Sequence, residues 1–420
     1  MSKDTKESEH DKEIRIAKYV TFVEGKKFRD WVVNRKLDEG AFGKVYLVTH
    51  KDGTRKAALK AEPNEVDGGS AIKLEMTLLR DINAKGEQPH IPMVYHAAKH
   101  RNFSYMVMTL LGQNVEALRL KSGEGSEREH ITFSVSTWIR LGIQALYALK
   151  VLHDFGYIHR DIKPNNFVMG HPTDGERSRL IFLLDFGMSR AYAFRSLKDD
   201  RWIARMARSV CDFRGTIQYC SPNAHFEKEQ GRQDDIWSLF FILIEMHCGL
   251  PWQGIKEVPK MEAMKMNMKD EDVVQNLPRE LRGIIPSLRK LEVYDRPDYL
   301  GIYNSMLAVM TRYKVGVDDP FDWEKAADHV ILKPSKPPAW HDPVEYFKSD
   351  PINIHGAPSA ADRKEDTGIP KRKRKEEHTR EETKDDDGVT KTIDFSKMDN
   401  IVKPKSPLPH SPLPRSPVPK

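Results

Sequence analysis

The stretch that decides the fold is "YIHRDIKPNNFVMG", Tyr157 to Gly170. Its middle packs His159, Arg160, Asp161, Lys163, Pro164, Asn165 and Asn166 into eight positions. A solvated loop can be polar, but hydration alone does not demand an acid, a lysine and an amide at fixed offsets. The stretch follows "VSTWIRLGIQALYALKVLHDFG", in which Trp138, Leu141, Ala145, Leu149 and Leu152 recur at helical spacing. Ser136 is the candidate N-cap of this helix, and Gly156 lies just past its end. A polar cluster at the end of an apolar helix is placed for chemistry rather than for covering a surface.

Upstream, the pattern is β-rich. "VVNRKL" and "KVYLVTH" flank a glycine-bearing turn, "DEGAFG", and "TRKAALKAE" reads as a third strand. "SAIKLEMTLLRDI" has Ile72, Met76 and Leu79 at helical spacing with Glu75 beside them, and "FSYMVMTLLG" reads as a buried strand. Downstream, "LIFLLDFG" is a short apolar strand running into a turn. "DDIWSLFFILIEMHCG" is apolar on nearly every side, which suits a helix at the centre of a large lobe. These patterns predict an α+β chain, β-rich over 28–111 and mainly helical over 112–327, built as one large bilobal domain or as two domains.

The chain has 420 residues, too many for one small core. Residues 1–27 read as a flexible arm and 328–420 as a disordered tail. That tail carries "KRKRKEEHTREETKDDDG", a basic block followed by an acidic one, and the repeat "SPLPHSPLPRSPVPK", which suits polyproline II. A net charge of +6, mixed in sign, hardly argues for nucleic acid as a partner, which is not expected. Cys211, Cys220 and Cys248 have neither disulfide nor zinc spacing, so a reducing compartment is expected. The charged N-terminus lacks the apolar core of a secretory signal, and no apolar run is long enough to span a bilayer. A soluble, cytoplasmic protein is therefore expected. Lys371 to Lys375 reads either as a nuclear address or as an ordinary charge block. Ser406, Ser411 and Ser416 each precede proline, so a proline-directed kinase or an SH3-type groove would suit the repeat.

Together with "EGAFGKV", "AALK", "KLEMTLL" and "LLDFG", in this order, the opening stretch resembles the eukaryotic protein kinase signature set over about residues 28 to 327. "SPN" (Ser221 to Asn223) stands where most kinases carry A-P-E, which resembles the casein kinase 1 superfamily. "LPWQGI", "DRPDY" and "DDPFDWEK" look most like its tau-tubulin kinase branch. The resemblance implies a serine/threonine kinase that uses ATP and Mg²⁺ on protein substrates. It assigns the nucleotide to Leu37, Gly40, Gly43, Val45, Ala58, Lys60, Glu75, Met108, Leu110 and Leu111. Lys60 would hold phosphates and be fixed by Glu75. Asp161 would accept the substrate hydroxyl proton, with Lys163 near the transferring phosphate and Thr216 hydrogen-bonded beside them. Asn166 and Asp185 would bind Mg²⁺, since hard oxygen ligands suit that ion. Asp235 would brace the catalytic-loop backbone. Casein kinase 1 relatives often need no activation-loop phosphate, so the resemblance implies constitutive activity, while Arg160 leaves control by an activation-segment phosphate open.

Two departures from the pattern matter. Asp38 stands where the family's first loop glycine is expected, and a carboxylate near a triphosphate is unfavourable by about 2 kcal/mol per phosphate charge at roughly 8 Å. Gln218 stands where relatives often carry an arginine that helps form an anion pocket for phosphorylated or acidic substrates. Arg195, Lys198, Arg201, Arg205, Arg208 and Arg214 still make this region basic, either to attract acidic substrates or as a solvated face. A pseudokinase scaffold stays open as a rival function, motivated by Asp38. A nucleic-acid or adaptor role for the basic tail is the other rival.

Overall fold

The N-terminal lobe is a twisted antiparallel sheet backed by one helix. The computed structural model of the chain describes residues 17, 19–40, 43–64, 71–123, 130–196, 198–325, 334–363, 365 and 391–393. The main strands are β1 (Lys27–Phe28), β2 (Trp31–Glu39), β3 (Lys44–His50), β4 (Lys56–Pro63), β5 (Val94–Lys99) and β6 (Phe103–Thr109). They run in the order β1-β2-β3-β4-β6-β5, and Lys391–Ile393 pairs antiparallel with the free edge of β5.

Alternation along the strands sorts the two faces. Tyr46, Val48, Ala57, Leu59, Ala61 and Val107 form an outer cluster with Phe28 and Trp31. Ala58, Lys60 and Met108 belong to the opposite face, where helix α1 (Ala71–Asn83) packs through Ile72, Met76 and Leu79. The expected flexible arm of residues 1–27 ends earlier than composition suggested. Val20 is buried, its carbonyl accepts from the Tyr46 hydroxyl at 2.7 Å, and Phe22 packs 4.7 Å from the Phe28 ring. Its two aromatics, Tyr19 and Phe22, stand in one short apolar run, too brief to give a periodic signal.

The C-terminal lobe is built on two long helices, α2 (Val135–Asp154) and α3 (Arg232–Cys248). Helix α3 is apolar on all sides because it is buried on all sides. The Trp138 indole N–H donates to the Leu243 carbonyl at 2.8 Å, tying the pair together. The N-cap of α2 is Ser134 rather than Ser136: its hydroxyl accepts from the Thr137 N–H, while Ser136 is already the second residue of the helix. Either serine satisfies the local pattern, and the extended backbone at Ser134 decides between them.

A second correction concerns the tail. Residues 334–363 pack against this lobe instead of leaving it at 327. Trp340, Phe347, Ile352 and Ile354 are buried. Tyr346 stacks on Tyr147 at 4.3 Å, and Arg296 of "DRPDY" donates to the carbonyls of Phe347 and Ser349 at 2.9 and 2.8 Å. Ile352 and Ile354 form a small cluster with Ala193 and Ala204, which lie on the paired strands β7 (Ala193–Arg195) and β8 (Trp202–Ala204). Among the described residues no helix is long and apolar enough to cross a membrane.

Candidate active site

The segment Tyr157–Gly170 crosses the junction of the two lobes, where its backbone is held from below. The Asp235 carboxylate, buried at the start of α3, accepts from the N–H groups of His159 and Arg160 at 2.7 and 2.9 Å, and from His153 Nε2 at 2.9 Å. Burial would raise its pKa. The donated hydrogen bonds outweigh this and hold it below the ordinary carboxylate range. The bracing role expected of Asp235 is thus visible as geometry. His153 completes it, and nothing local in the sequence marked that residue. Arg160 sits at φ 69°, a left-handed conformation rarely adopted outside glycine, and its Nε donates to the Met188 carbonyl. Asp185 is similarly left-handed, at φ 63°. Such positions cost about 1–3 kcal/mol each and persist where surrounding bonds fix them.

Asp161 is the focus of the braced loop and is 4% exposed. Thr216 Oγ1 donates to its Oδ1 at 2.7 Å, and Lys163 Nζ lies 2.7 Å from its Oδ2. The loop thereby meets a residue 55 positions away. Asn166 donates through Nδ2 to the Asp161 carbonyl at 2.8 Å. That bond orients the side chain and leaves the amide oxygen as an acceptor. Asp185 is exposed while the next residue, Phe186, is fully buried against His159, ring centroids 5.5 Å apart. An amide oxygen and an exposed carboxylate on adjoining loops are the hard donor set that suits Mg²⁺.

Across the cleft, Lys60 Nζ lies 2.6 Å from Glu75 Oε2, so β4 and α1 are joined as expected. Burial would lower the Lys60 pKa. The charges of Glu75, Glu62 and Asp185 outweigh it and hold the ammonium above its ordinary range. Glu62 escaped sequence reading, although its place two residues after Lys60 puts it on the same face of the strand. Val45 pairs with Lys60 and Ala58 with Met108, so these candidates share one sheet face. Leu37 is exposed at the end of β2, and Leu110 and Leu111 are half-buried where β6 ends. Of the two loop glycines, Gly43 is required by packing: a Cβ there would stand 2.8 Å from Glu62 Cγ and collide with the Ala61 carbonyl oxygen. Gly40 meets nothing within 4 Å, and its N–H donates to the Gly43 carbonyl at 2.9 Å.

This arrangement matches the model of the protein kinase domain over residues 31–307. The chain belongs to that family. It is 40% identical to an inactive tau-tubulin kinase of Caenorhabditis elegans over 292 residues, 69% of this chain and 98% of the relative. A second Caenorhabditis elegans protein, provisionally named a serine/threonine-protein kinase, is 35% identical over 72% of this chain and 83% of its own length. A casein kinase I homologue of Saccharomyces cerevisiae is 30% identical over 70% of this chain and 53% of its own length. The bilobal kinase fold and the likeness to the casein kinase 1 superfamily, read from the motifs, therefore hold.

The basic segment of the kinase domain is where the sequence left two readings open. Several of those charges are already paired. Arg208 donates to Glu229 through Nε at 2.7 Å and Nη2 at 3.0 Å, and Arg190 Nε lies 3.1 Å from the same carboxylate. Arg201 meets Asp362 at 2.5 Å and Lys198 meets Glu365 at 2.8 Å. Gln218 is tied down as well: its Nε2 donates to the buried Glu245 at 2.8 Å, and the Tyr219 hydroxyl donates to the same carboxylate at 2.7 Å.

Proposed function

We propose that the chain transfers the γ-phosphoryl group of ATP, with Mg²⁺, to serine or threonine hydroxyls of proteins. The observation that carries this is Asp161, whose two carboxylate oxygens are held by Thr216 and Lys163 at 2.7 Å each. A carboxylate oriented from both sides can accept a hydroxyl proton as the oxygen attacks. Orientation matters more than basicity in a loose phosphoryl transition state. Lys163 would neutralise charge on the transferring group, and Thr216 would keep the carboxylate and the acceptor in register. Lys60, steadied by Glu75, would hold the phosphates in place. Asn166 and Asp185 would hold Mg²⁺, which when bound supplies positive charge to the phosphate oxygens.

Glu229 supports activity without a phosphorylated activation segment. Its carboxylate already gathers Arg190 and Arg208 near Arg160, and Arg160 holds the chain at Met188. Gln218, bonded to Glu245, supports acceptance of substrates that carry no prior phosphate.

The test is transfer of labelled phosphate from ATP to a Ser/Thr peptide library, with Asp161→Asn and Asp185→Asn as controls. The wild-type chain should label serine and threonine peptides, and each control should lose about 100-fold or more. One relative is named inactive, which favours a pseudokinase scaffold as the second reading. Nucleotide binding by the wild-type chain, with transfer no faster than in the Asp161→Asn control, would establish that reading instead. The nuclear address at Lys371–Lys375 and the proline-rich partners belong to residues outside those described. Fusing residues 366–420 to a reporter, with and without the five basic residues, tests the address.

A further inference from the structure

Glu62 is a buried carboxylate that none of the assigned roles uses. It lies on β4, is 2% exposed, and touches two parts of the site at once. Its Oε2 accepts from the backbone N–H of Ile72 at 3.0 Å, and its Oε1 lies 3.4 Å from Lys60 Nζ. Ile72 is the second residue of α1, so its N–H is one of the donors that a helix start leaves without an intrahelical partner. The first turn of α1 carries no acidic residue of its own. The negative charge that favours a helix N-terminus comes instead from the neighbouring strand. That turn is also where the helix meets the Asp185 loop: a Cβ on Gly187 would stand 2.8 Å from Ala71 Cβ.

We propose that Glu62 is a positioning residue that pins the first turn of α1 to β4, and so sets Lys60, Glu75 and the Asp185 loop in one arrangement. Three connections converge there: Glu62 to Ile72, Lys60 to Glu75, and Ala71 to Gly187. Both ends of the Glu62 contact lie within the N-terminal lobe. The inward stand of α1 then requires no signal from the activation segment. Gly43 belongs to the same device, because a side chain there would press on Glu62 Cγ. The catalytic part of this inference rests on the kinase activity proposed above; the structural part does not.

The test compares Glu62→Ala and Glu62→Gln in the full chain, by amide hydrogen exchange and by steady-state kinetics. Glutamine can still accept from the Ile72 N–H, whereas alanine cannot. In Glu62→Ala, amides in the first two turns of α1 should exchange about 10-fold faster or more, with α3 unchanged, because a hydrogen bond to a charged group is lost. kcat should fall about 10-fold as the inward population falls, with the peptide KM little changed. Glu62→Gln should recover most of the exchange protection and lose only about threefold in kcat, the part owed to charge beside Lys60. Equal behaviour of the two variants, or unchanged exchange in α1, overturns the proposal. So does faster exchange spread evenly over the whole chain, which marks a merely structural role. Should Glu62→Ala not fold, Glu62→Asp replaces it, since a carboxylate one methylene shorter cannot span both contacts. If the wild-type chain transfers no phosphate, the exchange comparison still decides the positioning role, and the failure falls on the activity alone.

Discussion

Asp38 turns its carboxylate back onto its own backbone, where Oδ1 accepts from the Glu39 N–H at 2.8 Å. It is exposed, so water screens its charge from a neighbouring phosphate. Asp38→Gly should lower the KM for ATP by about twofold to fivefold and leave kcat in place; an unchanged or higher KM rules out the repulsion. Glu75 offers the stronger lever. Glu75→Gln removes the buried charge that pairs with Lys60 and should cut kcat about 10-fold or more, read in the same peptide assay. A third residue contributes to acid sensitivity. His90 is 1% exposed, its Nδ1–H donates to the Ile181 carbonyl at 2.8 Å, and burial pushes its pKa down to about 4. The unfolded chain takes up this proton near pH 6.5 and the folded chain only near pH 4, so stability falls as pH drops through that window. The loss from this group reaches about 3 kcal/mol. Urea unfolding at several pH values should show the slope, and His90→Gln should flatten it.

The activation segment makes the same argument at the level of an element. Glu229 is nearly buried between Arg190 and Arg208. Burial would raise its pKa, but the hydrogen bonds from Arg208 and the charge of Arg190 hold it below the ordinary range. Glu229→Gln should loosen the segment at a cost of about 1 kcal/mol, since both arginines are partly solvated, visible as faster proteolysis between β7 and α3. Phosphatase treatment of the wild-type chain should leave its activity unchanged. These contacts also show which information is local. The spacings within Tyr157–Gly170, within "AALK" and within "LLDFG" fix roles over a few residues, so strand, turn and loop could be read from them. Glu62, His153 and Glu229 act through partners far along the chain or on another element, and a lone acid or histidine looks the same whether it is buried or solvated. Ser134 and Ser136 make a milder case: two equivalent caps, separated only by backbone conformation.

On the scale of the molecule, the domain extends past residue 307, where the family match stops. Trp340, Phe347, Ile352 and Ile354 are spread singly among prolines and charges, so no periodic pattern announced them, yet each is buried. A chain ending at residue 333 should melt at least about 5 °C lower than one ending at residue 366, given roughly 1.5–3 kcal/mol for each large apolar side chain uncovered. Scanning calorimetry of the two lengths decides this, and equal melting temperatures would make the added packing superficial. The route of this extension has a mechanical side. Ile352 and Ile354 sit beneath the β7–β8 hairpin, and Asp362 and Glu365 grip its rim through Arg201 and Lys198. A pull on the chain at residue 365 would therefore be felt first at the β7–β8 hairpin, through Lys198 and Arg201, before it reached the core of the lobe.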